Sequence, residues 1–184
     1  SGRAEARDVT GFQTCCAPLR YAVPVVSRLD FNSSSSVTAT NYTAVRATDT
    51  TASNGLDQRG FGWATGAISE LDRVTTSALR RDGHYGTSGT FQIQVKPSTS
   101  YGIRYYVGDV LVQRDLITIA VTSGIVGTSI VQPADSDNAE TAIGTTKAPT
   151  RTFTTSAGSD RITISLSDAG GVNPNFTLLG IDLD

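Results

Sequence analysis

The chain has no methionine, one histidine (His84), one tryptophan (Trp63) and two cysteines, the adjacent pair Cys15 and Cys16. Neighbouring cysteines rarely bond each other, because the eight-membered ring strains the peptide between them. A dithiol metal site needs further ligands, and a single imidazole supplies too few. The pair therefore reads as two ordinary thiols of an N-terminal segment or as partners for thiols elsewhere, and says little about compartment. Charged residues make up 17%, below the usual quarter, and the net charge of −2 comes with no basic run. That disfavours nucleic acid, whose phosphates must be neutralised by Lys and Arg. No apolar run approaches the ~20 residues of a membrane-spanning helix. No secretory leader is visible, and a start at Ser1-Gly2 reads as a processed or excised fragment. The nucleophile elbow, the His-Glu-x-x-His helix and the phosphate loop are all missing. A paired-carboxylate glycosidase needs only two acids, and the 17 acids here cannot be paired from sequence alone.

What the chain has instead is Ser and Thr, 45 of its 184 residues, and 18 Gly. Thr suits a pleated surface and Gly suits tight turns, so the composition describes many short strands. Residues 1–24 are charged and then punctuated by Gly and Pro, and read as a leader or linker ahead of a domain over 25–184. Val25 to Phe31 is a first strand, stopped by Asn32 and four serines, and Asn41 to Arg46 is a second. Asp49 to Arg59 is rich in turn residues. Phe91, Ile93 and Val95 alternate with polar residues, and so do Tyr101, Ile103, Tyr105 and Val107 after Lys96-Pro97-Ser98-Thr99-Ser100. These two runs read as an antiparallel hairpin with one buried face. Leu116 to Val121, Thr152 to Thr155, Arg161 to Leu166 and Phe176 to Leu183 continue the pattern, with a polar loop over Asp135 to Thr150 that could hold one helical turn. Some eight to ten strands at a spacing of roughly ten residues, with no long amphipathic helix, predict an all-β sandwich.

The order of features is specific beyond simple alternation. Leu29-Asp30-Phe31 is followed by Gly60-Phe61-Gly62-Trp63, Arg80-Arg81-Asp82-Gly83-His84-Tyr85-Gly86, Thr90 to Val95, Tyr101 to Asp109, and then Arg114-Asp115 with Ile117-Thr118-Ile119. This order resembles the galactose-binding-like, malectin-like β-sandwich modules of secreted bacterial polysaccharide-active proteins. It is most similar to the N-terminal modules of rhamnogalacturonan-acetylesterase-type enzymes, over about residues 28 to 183. Two motifs depart from that pattern. A Phe-Asp-Phe-Gly start is Leu29-Asp30-Phe31-Asn32 here, and a Pro-Asn-Gly turn is Lys96-Pro97-Ser98-Thr99-Ser100. The resemblance implies a jelly roll of two antiparallel sheets that recognises carbohydrate without catalysis, often with a structural Ca²⁺.

Sugar recognition needs an aromatic face for the C–H side of a pyranose and planar polar groups for its hydroxyls. Trp63, in a Gly-rich stretch, either exposes its ring or fills the core beside Phe61. His84 and Tyr85, between glycines, are either a loop pair that meets ligand or a cap over a strand end. Arg104 and Tyr106 lie opposite the buried face of their strand and form either a polar and aromatic platform or an ordinary solvated face. Asp109, Arg114 and Asp115 flank the next loop. There Arg114 either donates paired hydrogen bonds to vicinal hydroxyls or holds the loop through an internal ion pair. In folds of this kind the first and last strands lie side by side, which would bring Asp30 and Asp182 together as Ca²⁺ ligands. Asp135-Ser136-Asp137-Asn138 lacks the Gly and distal Glu of an EF-hand and reads as a polar loop. Asn32, Asn41 and Asn175 open Asn-x-Ser/Thr sequons, which matter only in a eukaryotic source.

The expectation is a non-catalytic module, extracellular or on a cell surface, that docks a multidomain parent onto a polysaccharide or oligosaccharide. Its other partners would be neighbouring domains, with no nucleic acid and no membrane insertion. A structural or adhesive sandwich and a jelly-roll lyase or hydrolase are the alternatives.

Overall fold

A computed structural model describes residues 27–51, 59–74, 77–114, 116–133, 146–147 and 150–184. The expected leader 1–24, both cysteines, Asp115 and the loop at 134–145 lie outside the described residues. The fold is an all-β sandwich. The first sheet contains β1 (Arg28–Phe31), β2 (Thr43–Val45), β7 (Ser100–Gly108) and β14 (Gly180–Leu183), in the order β7-β14-β1-β2. Two short strands, β10 (Thr146–Lys147) and β11 (Thr150–Thr154), both pair with the other edge of β7. The second sheet has the order β3 (Phe61–Gly66), β6 (Ser88–Gln94), β12 (Arg161–Asp168), β8 (Ile117–Ser123), β9 (Ile130–Pro133). A third, small sheet sets β5 (Asp82–Gly86) between β4 (Ser69–Asp72) and β13 (Phe176–Leu178). One helical turn, Ala78–Arg81, leads into β5. Every strand pairing is antiparallel except β1 with β2.

The alternation seen in the sequence decides which side chains enter the core. Phe91 and Ile93 of β6, Ile103, Tyr105 and Val107 of β7, and Ile162, Ile164 and Leu166 of β12 are all essentially inaccessible. They join Leu29, Phe31 and Ile181 in one continuous cluster between the two large sheets. Its aromatic centre is Phe31, whose ring meets Trp63, His84 and Phe91 edge-on at centroid distances of 5.9, 5.2 and 5.0 Å.

The expected hairpin is not one. β6 pairs with β3 and β12, whereas β7 pairs with β14, β11 and β10, so the two runs belong to opposite sheets and face each other across the core. Alternation fixes the face a strand buries and carries no information about its partner. The connection crosses between sheets: Pro97 has no N–H to give a ladder, and Ser98 takes a left-handed φ of 51°. The Lys96 N–H donates to the Tyr101 hydroxyl at 2.9 Å, and the Thr155 hydroxyl donates to the Lys96 carbonyl at 2.7 Å. Two further expectations are corrected. Trp63 lies in strand β3 and His84-Tyr85 in strand β5, not in loops. The run Phe176 to Leu183 is broken between two sheets.

Phe31→Ala removes the ring around which the other aromatics pack, and should lower unfolding free energy by about 3–5 kcal/mol. A denaturant midpoint unchanged from wild type would contradict this account of the core.

Candidate functional site

The outward face of the first sheet carries a row of side chains that follows directly from strand register. Arg28 stands opposite Asp182, Asp182 opposite Arg104, and Arg104 opposite Thr150. Paired residues of antiparallel strands point to the same side, so one position from each of β1, β14, β7 and β11 lines up across the sheet. The expected orientation of β7 holds, with Tyr101, Ile103, Tyr105 and Val107 inward and Arg104 exposed on the other side. The row continues past β1. Thr43 sits beside Leu29 in the parallel pair, which brings Tyr42 beside Arg28, and the guanidinium lies 5.9 Å from the centre of the Tyr42 ring. Asn41, with a left-handed φ of 67°, turns the serine-rich loop into β2 at that point.

Hydrogen bonds tie the row together. The Tyr106 hydroxyl donates to Asp182 Oδ2 at 2.9 Å, and Arg104 Nε donates to the Thr150 hydroxyl at 3.3 Å. Burial, and then hydrogen bonding to Asp182 and Tyr106, pushes the Tyr42 phenol well above its ordinary range, so Tyr42 acts here only as a neutral hydroxyl. Among the described residues, neither Arg28 nor Arg104 makes an ion pair. The row is thus an aromatic ring, two guanidinium groups, a carboxylate and a hydroxyl on one surface. This set can pack on a sugar ring and both donate to and accept from its hydroxyls.

One side of the row is walled. Gly180, beside Tyr106, lies under the helical turn: a Cβ there would come within 2.7 Å of Leu79 Cδ1. On the other side Gly102 faces open space, with nothing within 4 Å of where its Cβ would be.

Asp30 and Asp182 do not form the expected cation pair. The first and last strands do lie side by side, but Asp30 falls opposite Gly180 and Asp182 opposite Arg28. Asp30 turns towards the serine loop, where its Oδ2 accepts from Asn32 Nδ2 at 3.2 Å and from the Ala39 N–H at 2.6 Å. Asn32 Nδ2 also reaches Asp82 Oδ2 at 3.3 Å, and Asp82 accepts in addition from the Ser33 N–H and the Ser36 hydroxyl. Burial, above all, lifts the Asp30 carboxyl to about 6, and burial likewise raises Asp82. Ca²⁺ needs six to eight converging oxygens. The described residues hold no group of three or more His, Cys, Asp or Glu able to take a metal. The two carboxylates are thus not directly opposed, and among the described residues no third acidic, thiol or imidazole group completes a cluster with them.

Trp63 and His84 are core residues, 2% and 0% exposed. Trp63 Nε1 donates to His84 Nδ1 at 3.0 Å, which leaves Nε2 to carry the proton and donate to the Asn32 carbonyl at 3.2 Å. Burial pushes the imidazole down to about 4. Both side chains are occupied with each other, and neither offers a ring face to a ligand. The Trp63 edge contributes to the floor of an open cavity of about 330 Å³ between Thr50-Thr51 and Thr65.

Tyr85, Asp109 and Arg114 do come together, at one end of the sandwich, as an internal network. Arg73, which the sequence reading did not single out, is the main partner of Asp109, with Nε and Nη2 donating at 2.8 and 2.7 Å. Arg114 Nη2 is 3.4 Å from the same carboxylate, its Nη1 donates to Asn173 Oδ1 at 2.6 Å, and its guanidinium lies 5.2 Å from the Tyr85 ring centre. Burial pushes Asp109 up, but hydrogen bonds from Arg73 and the Leu111 N–H and the charges of Arg73 and Arg114 together hold the carboxyl below its ordinary value. Arg114 is only 5% exposed, so this cluster braces loops against β5 and leaves little for a ligand to reach. The site residues missed from sequence are Arg28, Tyr42 and Thr150. Arg28 was within reach, because Arg28 and Asp30 alternate with Leu29 and Phe31.

No protein-family model and no curated protein matches the chain. Solved structures share its shape at low identity. The ANXUR2 extracellular domain from Arabidopsis thaliana superposes with a TM-score of 0.54 at 10% identity, over 85% of this chain and 40% of that one. A calcium-binding mutant of Bacteroides uniformis beta-glucuronidase 2 gives 0.51 at 15% identity, over 85% of this chain and 17% of that one. A carbohydrate-binding module of Cellvibrio mixtus lichenase 5A, solved with cellotriose, gives 0.39 at 16% identity, over 66% of this chain and 90% of that one. The first two likenesses establish the fold. This chain spans less than half of either protein, and their activities stay with them.

The buried His84 predicts a pH dependence. The fold disfavours imidazolium, whereas the unfolded chain takes up the proton below pH ~6.5. The stabilisation is therefore complete above that pH and erodes as pH falls towards 4. A His84→Gln variant should lack this slope, so its stability deficit relative to wild type should shrink by about 3 kcal/mol between pH 6.5 and 4. A constant deficit across that window would refute the buried neutral imidazole.

Proposed function

We propose that the chain is a non-catalytic carbohydrate-binding module that docks an extracellular or cell-surface multidomain parent onto polysaccharide through the outward face of its first sheet. The observation that carries this reading is the cross-strand row Tyr42, Arg28, Asp182, Arg104 and Thr150, with Tyr106 beside it. The half-buried rings of Tyr42 and Tyr106 would cover the apolar side of a sugar ring while the exposed Arg28 and Arg104 donate to its hydroxyls, and the buried Asp182 holds Tyr106 in place from beneath. The face is held ready by packing on a rigid sheet, so little order has to be created on binding. Docking of this kind raises the local concentration of an attached partner on the polymer. The fold it shares with the ANXUR2 extracellular domain is compatible with such a role. Among the described residues no helix is long and apolar enough to cross a membrane.

Affinity electrophoresis through gels cast with glucans, galactans, xylan and pectin, with and without EDTA, tests the reading. At least one polysaccharide should retard the protein, and Arg104→Ala should weaken that retardation by about tenfold or more. Trp63→Phe, a buried change, should leave it intact. Release of shortened chains from the retained polymer would overturn the non-catalytic part, and migration unaffected by every polymer would overturn the whole.

A further inference from the structure

We infer that the face takes an internal stretch of a linear polysaccharide, about three or four sugar residues laid across the strands, rather than a chain end or a single sugar. This rests on the proposed carbohydrate-binding role and adds the form of the ligand. The row draws one residue from each of β1, β14, β7 and β11 in strict register. Neighbouring strands stand ~4.8 Å apart, so the row from Arg28 to Thr150 is about 14 Å long, and Tyr42 reaches back over it to Asp182 and Tyr106. A pyranose in an extended chain advances by about one such spacing. One ring could therefore engage at most two positions of the row, and the others would stay hydrated.

The surroundings give the row a direction. Tyr106 and Leu79 close one flank at Gly180, and Gly102 leaves the opposite flank open. Arg28 and Arg104 are exposed, as is Thr150 at the far end. A face walled at Gly180 and exposed at Arg28, Arg104 and Thr150 suits a chain that passes across it, whereas recognition of a terminus requires a barrier at one end. The exposed groups are separated along the row, two guanidinium donors and then the Thr150 hydroxyl, with the buried Asp182 between Arg28 and Arg104, so successive sugar residues would meet successive groups.

Titration calorimetry with cello-, xylo- and galacto-oligosaccharide and oligogalacturonide ladders of one to six residues tests this. In the series whose polymer is retained, affinity should rise about tenfold or more from disaccharide to tetrasaccharide and then level off. Blocking the non-reducing end of the longest oligomer should change nothing. Arg28→Ala should weaken the tetrasaccharide while leaving the disaccharide within about twofold, with thermal melts confirming an intact fold. A disaccharide that binds as well as the tetrasaccharide, or loss of binding on end-blocking, overturns the inference and leaves the carbohydrate-binding role standing. A polymer panel that retains nothing removes that role, and this inference with it.

Discussion

The outward face exists because the first and last strands pair. Leu29 opposite Ile181, and Ile181 opposite Tyr105, lock β1, β14 and β7 in one register through side chains that are 1% exposed or less. That register cannot slip by one residue without turning Leu29, Phe31, Ile181 and Leu183 out to water and drawing Arg28 and Asp182 into the core. The hydrophobic core therefore positions the polar row: what fixes the inward set fixes the outward one. Hydrogen bonds from Tyr106 to Asp182 and from Arg104 to Thr150 then hold the outward side chains, and among the described residues the two arginines stand there without ion pairs.

A buried polar cluster holds what the core cannot. Asp30, Asn32 and Asp82 are fully buried, and they join β1 of the first sheet to β5 of the third and to the serine loop. Two carboxyls buried together are costly: the Ser33 and Ala39 N–H groups donate to Asp82 Oδ2 and Asp30 Oδ2, while both Oδ1 atoms lack a donor among the described residues, in keeping with the raised titration of both groups. The serine run is short and flexible in sequence terms, and these hydrogen bonds convert it into a fixed approach to Tyr42. On the same side, the Asp72 carboxyl is held down to about 2, chiefly by hydrogen bonds from Arg81, which clamps the helical turn that shelters Gly180. The wall of the row and its aromatic end thus depend on ionisable groups that never meet ligand.

Trp63 and His84 show how a residue type can mislead. A lone tryptophan among glycines suggests an exposed platform, but Gly62 is small because backbone passes close by. A Cβ there would lie 3.0 Å from the Thr50 carbonyl carbon and the Thr51 nitrogen. The glycine marks a close approach of chain to chain, and the tryptophan next to it belongs to the interior. The Asp109 network shows a complementary case. The local loop signal paired Asp109 with Arg114 correctly, but the stronger partner, Arg73, lies 36 residues away and no spacing rule reaches it.

The sequence by itself determined the class of fold and the in-or-out sense of most strands, because a two-residue alternation of apolar and polar side chains is a local property that any sheet must respect. It placed Arg104 and Tyr106 on the face away from the buried side of β7, and it read Asp109 and Arg114 as flanking one loop, apart from Tyr85. Tertiary structure alone decided which strands pair, and with that the separation of β6 from β7, the offset of Asp30 from Asp182 and the alignment of Arg28 and Tyr42 with Arg104. Pairing is a contest among many strands with similar patterns. It is settled by how whole faces pack and how connections cross, and that information is spread over the chain rather than held in any one segment.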